Sequence, residues 1–146
     1  MTVYLDTSSL VKLYVAEAGS DVVRQLVRDA TVVATSVVAY VETRAALARL
    51  RRERGLTAAK FAATKRDFEA EWPTYLTMEA TGALCRAAGD LAERYSLRGF
   101  DSIHLASFAE VSRRGGTQET RFSSFDQRLN QAAGKLTRAL VRIHKA

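Results

Sequence analysis

The run Val3-Tyr4-Leu5-Asp6-Thr7-Ser8-Ser9 decides the fold. Val3-Tyr4-Leu5 has the β-branched and aromatic character of a short strand. Asp6 to Ser9 supply side-chain oxygens that cap a helix, and Leu10, Leu13 and Tyr14 give the helix that follows an apolar side. A strand passing through a cap into a helix is the unit of an α/β domain, and the chain repeats it outward from here. Gly19-Ser20 opens a second helix carrying Val22, Val23, Leu26 and Val27, and the Val-rich stretch Thr31 to Thr35 reads as a second strand. Ser36 caps a helix with Val38, Val41, Ala45 and Ala48 at 3.6-type spacing, ending in Arg51, Arg52 and Arg54 before Gly55.

Past Gly55 the pattern predicts a helix over 57–72, broken at Pro73, and a third strand over 74–78. Helices follow over about 81–95 and 100–114, the second lying between Gly99 and Gly115-Gly116. Arg121 to Ser124 reads as a fourth strand, 126–133 as a short helix and 136–143 as a closing strand. The expectation is one α/β domain over residues 1–146, with a mainly parallel sheet of about five strands.

Composition narrows the function classes. Apolar residues make up 47% of the 146 and charged residues 26%, enough to fill a core, which excludes a disordered or collagen-like chain. The longest stretch without a charge, Ala30 to Val41, has 12 residues, well short of the roughly 20 that a spanning helix needs. The opening Met1-Thr2-Val3-Tyr4-Leu5-Asp6 lacks the basic start and apolar block of a secretory signal, so the expected location is cytoplasmic. Cys85 is the single cysteine and, with His104 and His144, cannot make a four-ligand zinc site. Any metal must therefore be held by carboxylates.

The net charge is +6, and it is unevenly spread. Arg44 to Arg66 carries eight basic residues against Glu53 alone, a net of +7, which leaves the rest of the chain at −1. Such a patch reads either as the footprint of a polyanion or as a solvated helix pair kept soluble by arginine.

Ligands of parallel α/β sheets bind beyond the carboxyl ends of the strands. Asp6 follows the first strand, Asp126 follows the fourth, Asp101 stands in the first turn of its helix, and Glu42 lies mid-helix on the flank of an apolar face. Each aspartate taken singly reads as a helix cap, and Glu42 as an inner partner of Arg49 or Arg52. Converging on one edge, the four would repel one another unless cations neutralised them. Hard oxygen donors of this kind suit Mg²⁺ or Mn²⁺, and such ions beside a basic helix pair are what phosphodiester hydrolysis requires. Removing one charge from the metal-free cluster, at Asp6, Asp101 or Glu42, should then cost little stability. Ser8 caps the first helix. His104, one turn after Asp101, reads as a packed core residue rather than a general base, and Tyr4, Phe100, Phe108 and Phe125 read as core.

The sequence resembles the PIN-domain ribonucleases, and within them the VapC-type toxins of bacterial and archaeal toxin-antitoxin pairs. Val3-Tyr4-Leu5-Asp6-Thr7-Ser8 is similar to the family's opening, Val41-Glu42-Thr43 to its second acidic position, and Gly99-Phe100-Asp101-Ser102-Ile103-His104-Leu105-Ala106 to its third. Phe122-Ser123-Ser124-Phe125-Asp126-Gln127-Arg128-Leu129 is similar to the fourth, with Ser124 where many relatives carry threonine. Four ordered motifs over nearly the whole chain are far more specific than any one aspartate. The resemblance implies a PIN-like three-layer α/β/α fold and a metal-dependent endoribonuclease with catalytic residues Asp6, Glu42, Asp101, Asp126 and Ser8. The four acids would hold Mg²⁺ or Mn²⁺, with Ser8 orienting Asp6 or its water network. It also implies an RNA substrate, a cognate antitoxin protein and a homodimer. Arg49, Arg51, Arg52 and Lys65 are the candidate RNA contacts, from the charge count.

Two other classes share some of these features. A non-catalytic RNA-binding module would keep the fold and use the acids as caps, and an RNA-processing PIN nuclease would lack the antitoxin. Receiver domains and aspartyl phosphatases are acidic α/β domains too, but they resemble paired acids or Asp-x-Asp after the first strand, where this chain has Asp6-Thr7-Ser8.

Overall fold

Val3 and Leu5 enter one core and Tyr4 the other, the alternation that a strand buried on both faces imposes. The computed structural model describes residues 1–53 and 55–145, the side chains of residues 144 and 145 excepted, so Arg54 and the His144 side chain lie outside the described residues. In chain order the elements are β1 (Thr2–Leu5), α1 (Thr7–Tyr14), α2 (Ser20–Asp29), β2 (Val32–Ser36), α3 (Val38–Glu53), α4 (Ala58–Glu71), β3 (Leu76–Met78), α5 (Gly82–Tyr95), α6 (Gly99–Gly115), β4 (Thr120–Ser123) and α7 (Gln127–Lys145). A 3-10 turn at Trp72–Thr74 carries Pro73 and joins α4 to β3, so the third strand starts later than the sequence suggests.

The sheet has the order β3-β2-β1-β4 and every pairing is parallel. One face packs α1 to α4 through Val3, Leu5, Leu10, Val23, Ala39 and Phe68, with Tyr14, Tyr40 and Trp72 against them. The other packs α5 to α7 through Tyr4, Leu97, Leu105, Phe108, Leu129 and Leu136. The result is the three-layer arrangement expected. Successive strands step from β1 to β2 to β3 on one side, and β4 then returns to the free side of β1, so the order switches between β1 and β4. The crevice beyond the carboxyl ends of those two strands is where a parallel sheet takes its ligand.

Two expectations are corrected. The closing strand over 136–143 is absent, and α7 runs unbroken from Gln127 through it. Leu129, Ala132, Ala133, Leu136 and Leu140 are all buried, a three-and-four spacing that one helix satisfies and a strand cannot. Gly134 does not break it, because a glycine inside a helix costs only about 1 kcal/mol relative to alanine, less than burying this apolar face returns. Among the described residues the sheet therefore has four strands. Phe100 and Phe125 are not core residues either: they are 54% and 47% exposed, whereas Tyr4 and Phe108 are buried as read. Among the described residues no helix is long and apolar enough to cross a membrane.

Candidate active site

Asp6 sits at the switch point and is 4% exposed. It caps α1, its Oδ1 accepting from the Ser9 backbone N–H at 2.9 Å and from Ser8 Oγ at 2.7 Å. Its Oδ2 accepts from Ser124 Oγ at 2.6 Å, across the gap to β4. Ser8 Oγ in turn accepts the Phe125 N–H at 2.9 Å, Ser124 Oγ accepts the Asp126 N–H at 3.0 Å, and Ser9 and Ser123 pair at 2.9 Å. The β1–α1 and β4–α7 junctions are thus stitched by four serines. Ser8 is at once part of the helix start and a donor that fixes the Asp6 carboxylate.

Asp126 caps α7 by accepting the Leu129 N–H at 2.8 Å. Asp101, in the first turn of α6, shares a cleft of about 420 Å³ with Asp126, Arg98 and Arg128. Arg98 reaches both acids, at 3.5 Å from Asp101 and 3.9 Å from Asp126. Burial pushes the Asp101 carboxyl up from its ordinary value, the charges of Asp126 and Asp6 add to the rise, and Arg98 and His104 oppose it. Asp101 therefore senses the charges of both Asp126 and Asp6. Glu42 shares a second cleft of about 500 Å³ with Arg98, Gly99, Phe100 and Asp101.

Glu42 is held by neither Arg49 nor Arg52. Its Oε1 accepts from Thr7 Oγ1 at 2.7 Å and from His104 Nε2 at 2.8 Å, and no hydrogen bond among the described residues engages Oε2. Burial raises this carboxyl, but the two hydrogen bonds and the attraction of His104 outweigh it and leave the pKa lowered. An ionised carboxylate only accepts, so Nε2 carries the hydrogen, and in the neutral ring Nδ1 then accepts from Tyr4 Oη at 2.9 Å. Burial holds the Tyr4 phenol well above its ordinary value, which keeps its proton on to donate. His104, 2% exposed, is packed as the sequence suggested, yet it is also the middle of a relay from the core to Glu42.

All four acids lie on one edge, although among the described residues no three Asp, Glu, His or Cys side chains stand close enough as placed to hold a metal ion. Arg98, whose side chain is 85% exposed, supplies positive charge beside Asp101 and Asp126. The donor set of carboxylate oxygens, its mutual repulsion and the unengaged Glu42 oxygen fit a hard divalent ion such as Mg²⁺ or Mn²⁺. Thr7, Ser124, Arg98 and the relay through Tyr4 are not read from the sequence. The one signal for His104 was its place one turn beyond Asp101.

Arg49, Arg51 and Arg52 stand apart from the acids, about 10–15 Å along α3 from Glu42, and Lys65 lies on α4. Arg49 pairs weakly with Glu53 at 3.9 Å, Arg51 donates to the Leu56 carbonyl in the α3–α4 turn, and Arg44 is bound to Glu69 at 2.7 Å. Arg52 is exposed and Lys65 half-buried on the same helical hairpin. Larger grooves elsewhere, between α2 and the starts of β2 and β3 and between α5 and α6, contain none of the four acids.

The chain is similar to known proteins along most of its length. Ribonuclease VapC45 and Ribonuclease VapC49, from two strains of Mycobacterium tuberculosis, are each 39% identical over 131 residues, which covers 90% of this chain and 88% of theirs. The crystal structure of Mycobacterium tuberculosis VapC20, described as a Sarcin-Ricin loop cleaving toxin, superposes with a TM-score of 0.61 at 21% identity, covering 89% of this chain and 94% of that one. PAE2754 from Pyrobaculum aerophilum gives a TM-score of 0.62 at 20% identity, over 97% of this chain and 90% of that one. These two likenesses are of fold. The PIN domain family model matches residues 3–135, a span that runs from the first strand through all four acids into α7. By that match and by its curated relatives, the chain belongs to the PIN-domain family.

Proposed function

We propose that the chain is a metal-dependent endoribonuclease and the toxin of a type II toxin-antitoxin pair. The observation that carries this reading is the set of four carboxylates in adjoining clefts beside the β1/β4 switch point, in a chain 39% identical to two proteins named as VapC ribonucleases. Asp6, Glu42, Asp101 and Asp126 would hold Mg²⁺ or Mn²⁺, which when bound supplies a Lewis acid and lowers the pKa of a coordinated water. Ser8 and Ser124 fix the Asp6 carboxylate, Thr7 and His104 fix that of Glu42, and the exposed Arg98 would contact a phosphate of the substrate. Water attack on phosphorus breaks one P–O bond and yields a phosphate monoester and a hydroxyl. The cognate antitoxin, a homodimer and a cytoplasmic location belong to the same reading.

The test is incubation of the purified chain with RNA oligonucleotides and Mg²⁺ or Mn²⁺. Internal cuts without a 2′,3′-cyclic phosphate are expected, because water rather than the 2′-hydroxyl attacks. Intact RNA, or cyclic ends, would overturn the reading.

The α3–α4 hairpin is the proposed electrostatic arm. Each phosphate neutralised releases counterions, so RNA affinity should fall with salt at about −0.7 per contact in log–log form. Arg49→Ala with Arg52→Ala should flatten that slope by one to two contacts' worth, measured by fluorescence anisotropy. Arg51 is the poorer probe because its substitution also frees the Leu56 carbonyl. An unchanged slope would make these arginines solubilising charge only.

A further inference from the structure

Among the described residues, every tyrosine, the tryptophan and the other four phenylalanines are buried or half-buried, and Phe100 and Phe125 alone of the aromatics are exposed. Both immediately precede an acid of the site, Asp101 and Asp126. Phe100 lines the cleft with Glu42, Arg98 and Asp101. Phe125 is tied to the Asp6 cluster through its N–H on Ser8 Oγ. We propose that Phe100 and Phe125 form a stacking subsite for unpaired nucleobases of the RNA beside the carboxylates. This inference rests on the endoribonuclease reading and names how that site grips its substrate.

Phe125 is held in place rather than merely left outside. Its ring lies against Gly19, where a Cβ would stand 2.4 Å from the ring edge and where φ is +89°, so both space and backbone favour glycine. Lys12 Nζ sits 4.4 Å from the ring centroid and is itself anchored on Glu17 at 2.8 Å. A ring already fixed gives up little freedom when a base stacks on it. Phe100 and Arg98 line the same cleft, so the aromatic face there is accompanied by an exposed guanidinium able to meet a phosphate.

The charge of the site says why rings are needed here. The basic hairpin lies some turns away, so its charges act on the RNA backbone at a distance from the acids and leave the bases beside them unheld. Stacking attracts every base through its face and adds a grip beside the acids that backbone charge does not supply. Single-stranded RNA, with its bases free to splay, is the occupant that matches both an aromatic platform and a phosphodiester-cutting edge. Val41, 59% exposed beside Glu42, lacks a π face and serves as the contrast.

The experiment compares Phe100→Leu, Phe125→Leu and Val41→Ala on one RNA oligonucleotide, each checked for a parental thermal melt. Leucine keeps the apolar volume and loses the ring, so packing on Gly19 is largely preserved. Each leucine variant should raise KM about tenfold with kcat little changed, Tyr or Trp at the same position should restore KM, and Val41→Ala should change it less than about twofold. Replacing the nucleotide beside the cut with an abasic one should raise the parent's KM as much and leave it no longer sensitive to the matching leucine. A KM unchanged in both leucine variants, or an equal loss in Val41→Ala, would overturn the stacking subsite alone. Failure of the parent chain to cut RNA would overturn the endoribonuclease reading and this one with it. Variants that cut RNA normally but no longer retain the co-expressed antitoxin would overturn it too, and assign the rings to the protein partner.

Discussion

Asp101→Asn is expected to leave the chain folded and to reduce RNA cleavage by about 10³-fold or more, since the metal-assisted step supplies several kcal/mol of barrier lowering. Chelation should reproduce the loss in the parent, and undiminished cleavage by metal-free protein in EDTA would sink the metal assignment. The same substitution should raise the thermal midpoint of metal-free protein at neutral pH. Asp101 has a folded-state pKa above its ordinary value, from burial first and the neighbouring Asp126 charge second, so the native state holds its proton more tightly than the unfolded chain does. Stability therefore falls as pH rises through the raised pKa, and asparagine escapes that fall. The advantage of Asp101→Asn should close as pH is lowered through the same range, which melts at a series of pH values in EDTA will show. A variant with a lower midpoint throughout and normal activity per folded molecule would mean that Asp101 is a helix-start residue and nothing more.

Glu42 has the opposite sign, against the expectation that any one charge could be removed from the cluster at little cost. Its pKa is lowered by His104 and Thr7 in spite of burial, so its ionised form stabilises the fold above its unfolded pKa and that gain is lost as pH falls through the folded one. Glu42→Gln should accordingly lower the midpoint at neutral pH while abolishing cleavage. The two acids share a cleft but differ because one faces Asp126 and the other faces donors.

This contrast marks where the sequence stops being legible. Asp6, Asp101 and Asp126 can be placed from sequence because each stands beside a strand end or helix start, and local chemistry fixes those boundaries. The partners of Glu42 cannot, because Thr7, His104 and Glu42 are separated by 35 and 62 residues and meet only when α1, α3 and α6 pack around one sheet edge. Phe100 and Phe125 fail for a related reason: hydrophobicity predicts burial, and only the fold reveals that a motif position faces outward. In α7 the apolar residues satisfied two periods over 136–143, and tertiary burial of Leu136 and Leu140 chose the helix. The basic hairpin was visible as charge, whereas its internal pairs, Arg44 with Glu69 and Arg51 with the Leu56 carbonyl, were not.

His104→Leu is expected to lower both Mn²⁺ affinity and cleavage by about 10–100-fold, the range found when the group orienting a metal-binding carboxylate or histidine is lost. The substitution removes the Nε2–H donor to Glu42 Oε1 and leaves Thr7 alone to hold the carboxylate. It also removes the Nδ1 acceptor of the fully buried Tyr4 hydroxyl and leaves Ser107 as its side-chain partner, at a cost of up to about 1–3 kcal/mol. That second effect is purely structural, so activity alone would not distinguish orientation from weakened packing. His104→Gln separates them, because its amide can place an N–H near the Nε2 position while fitting the core no better than leucine. Recovery of Mn²⁺ affinity by titration calorimetry in His104→Gln, without recovery of the thermal midpoint, assigns His104 as the positioning residue of Glu42. Loss of stability in His104→Leu with parental Mn²⁺ affinity and parental activity per folded molecule would return it to the role the sequence suggested, a packed core histidine. Tyr4→Phe should fall between, since removing the phenol frees Nδ1 to take the hydrogen and lets the ring present either tautomer to Glu42.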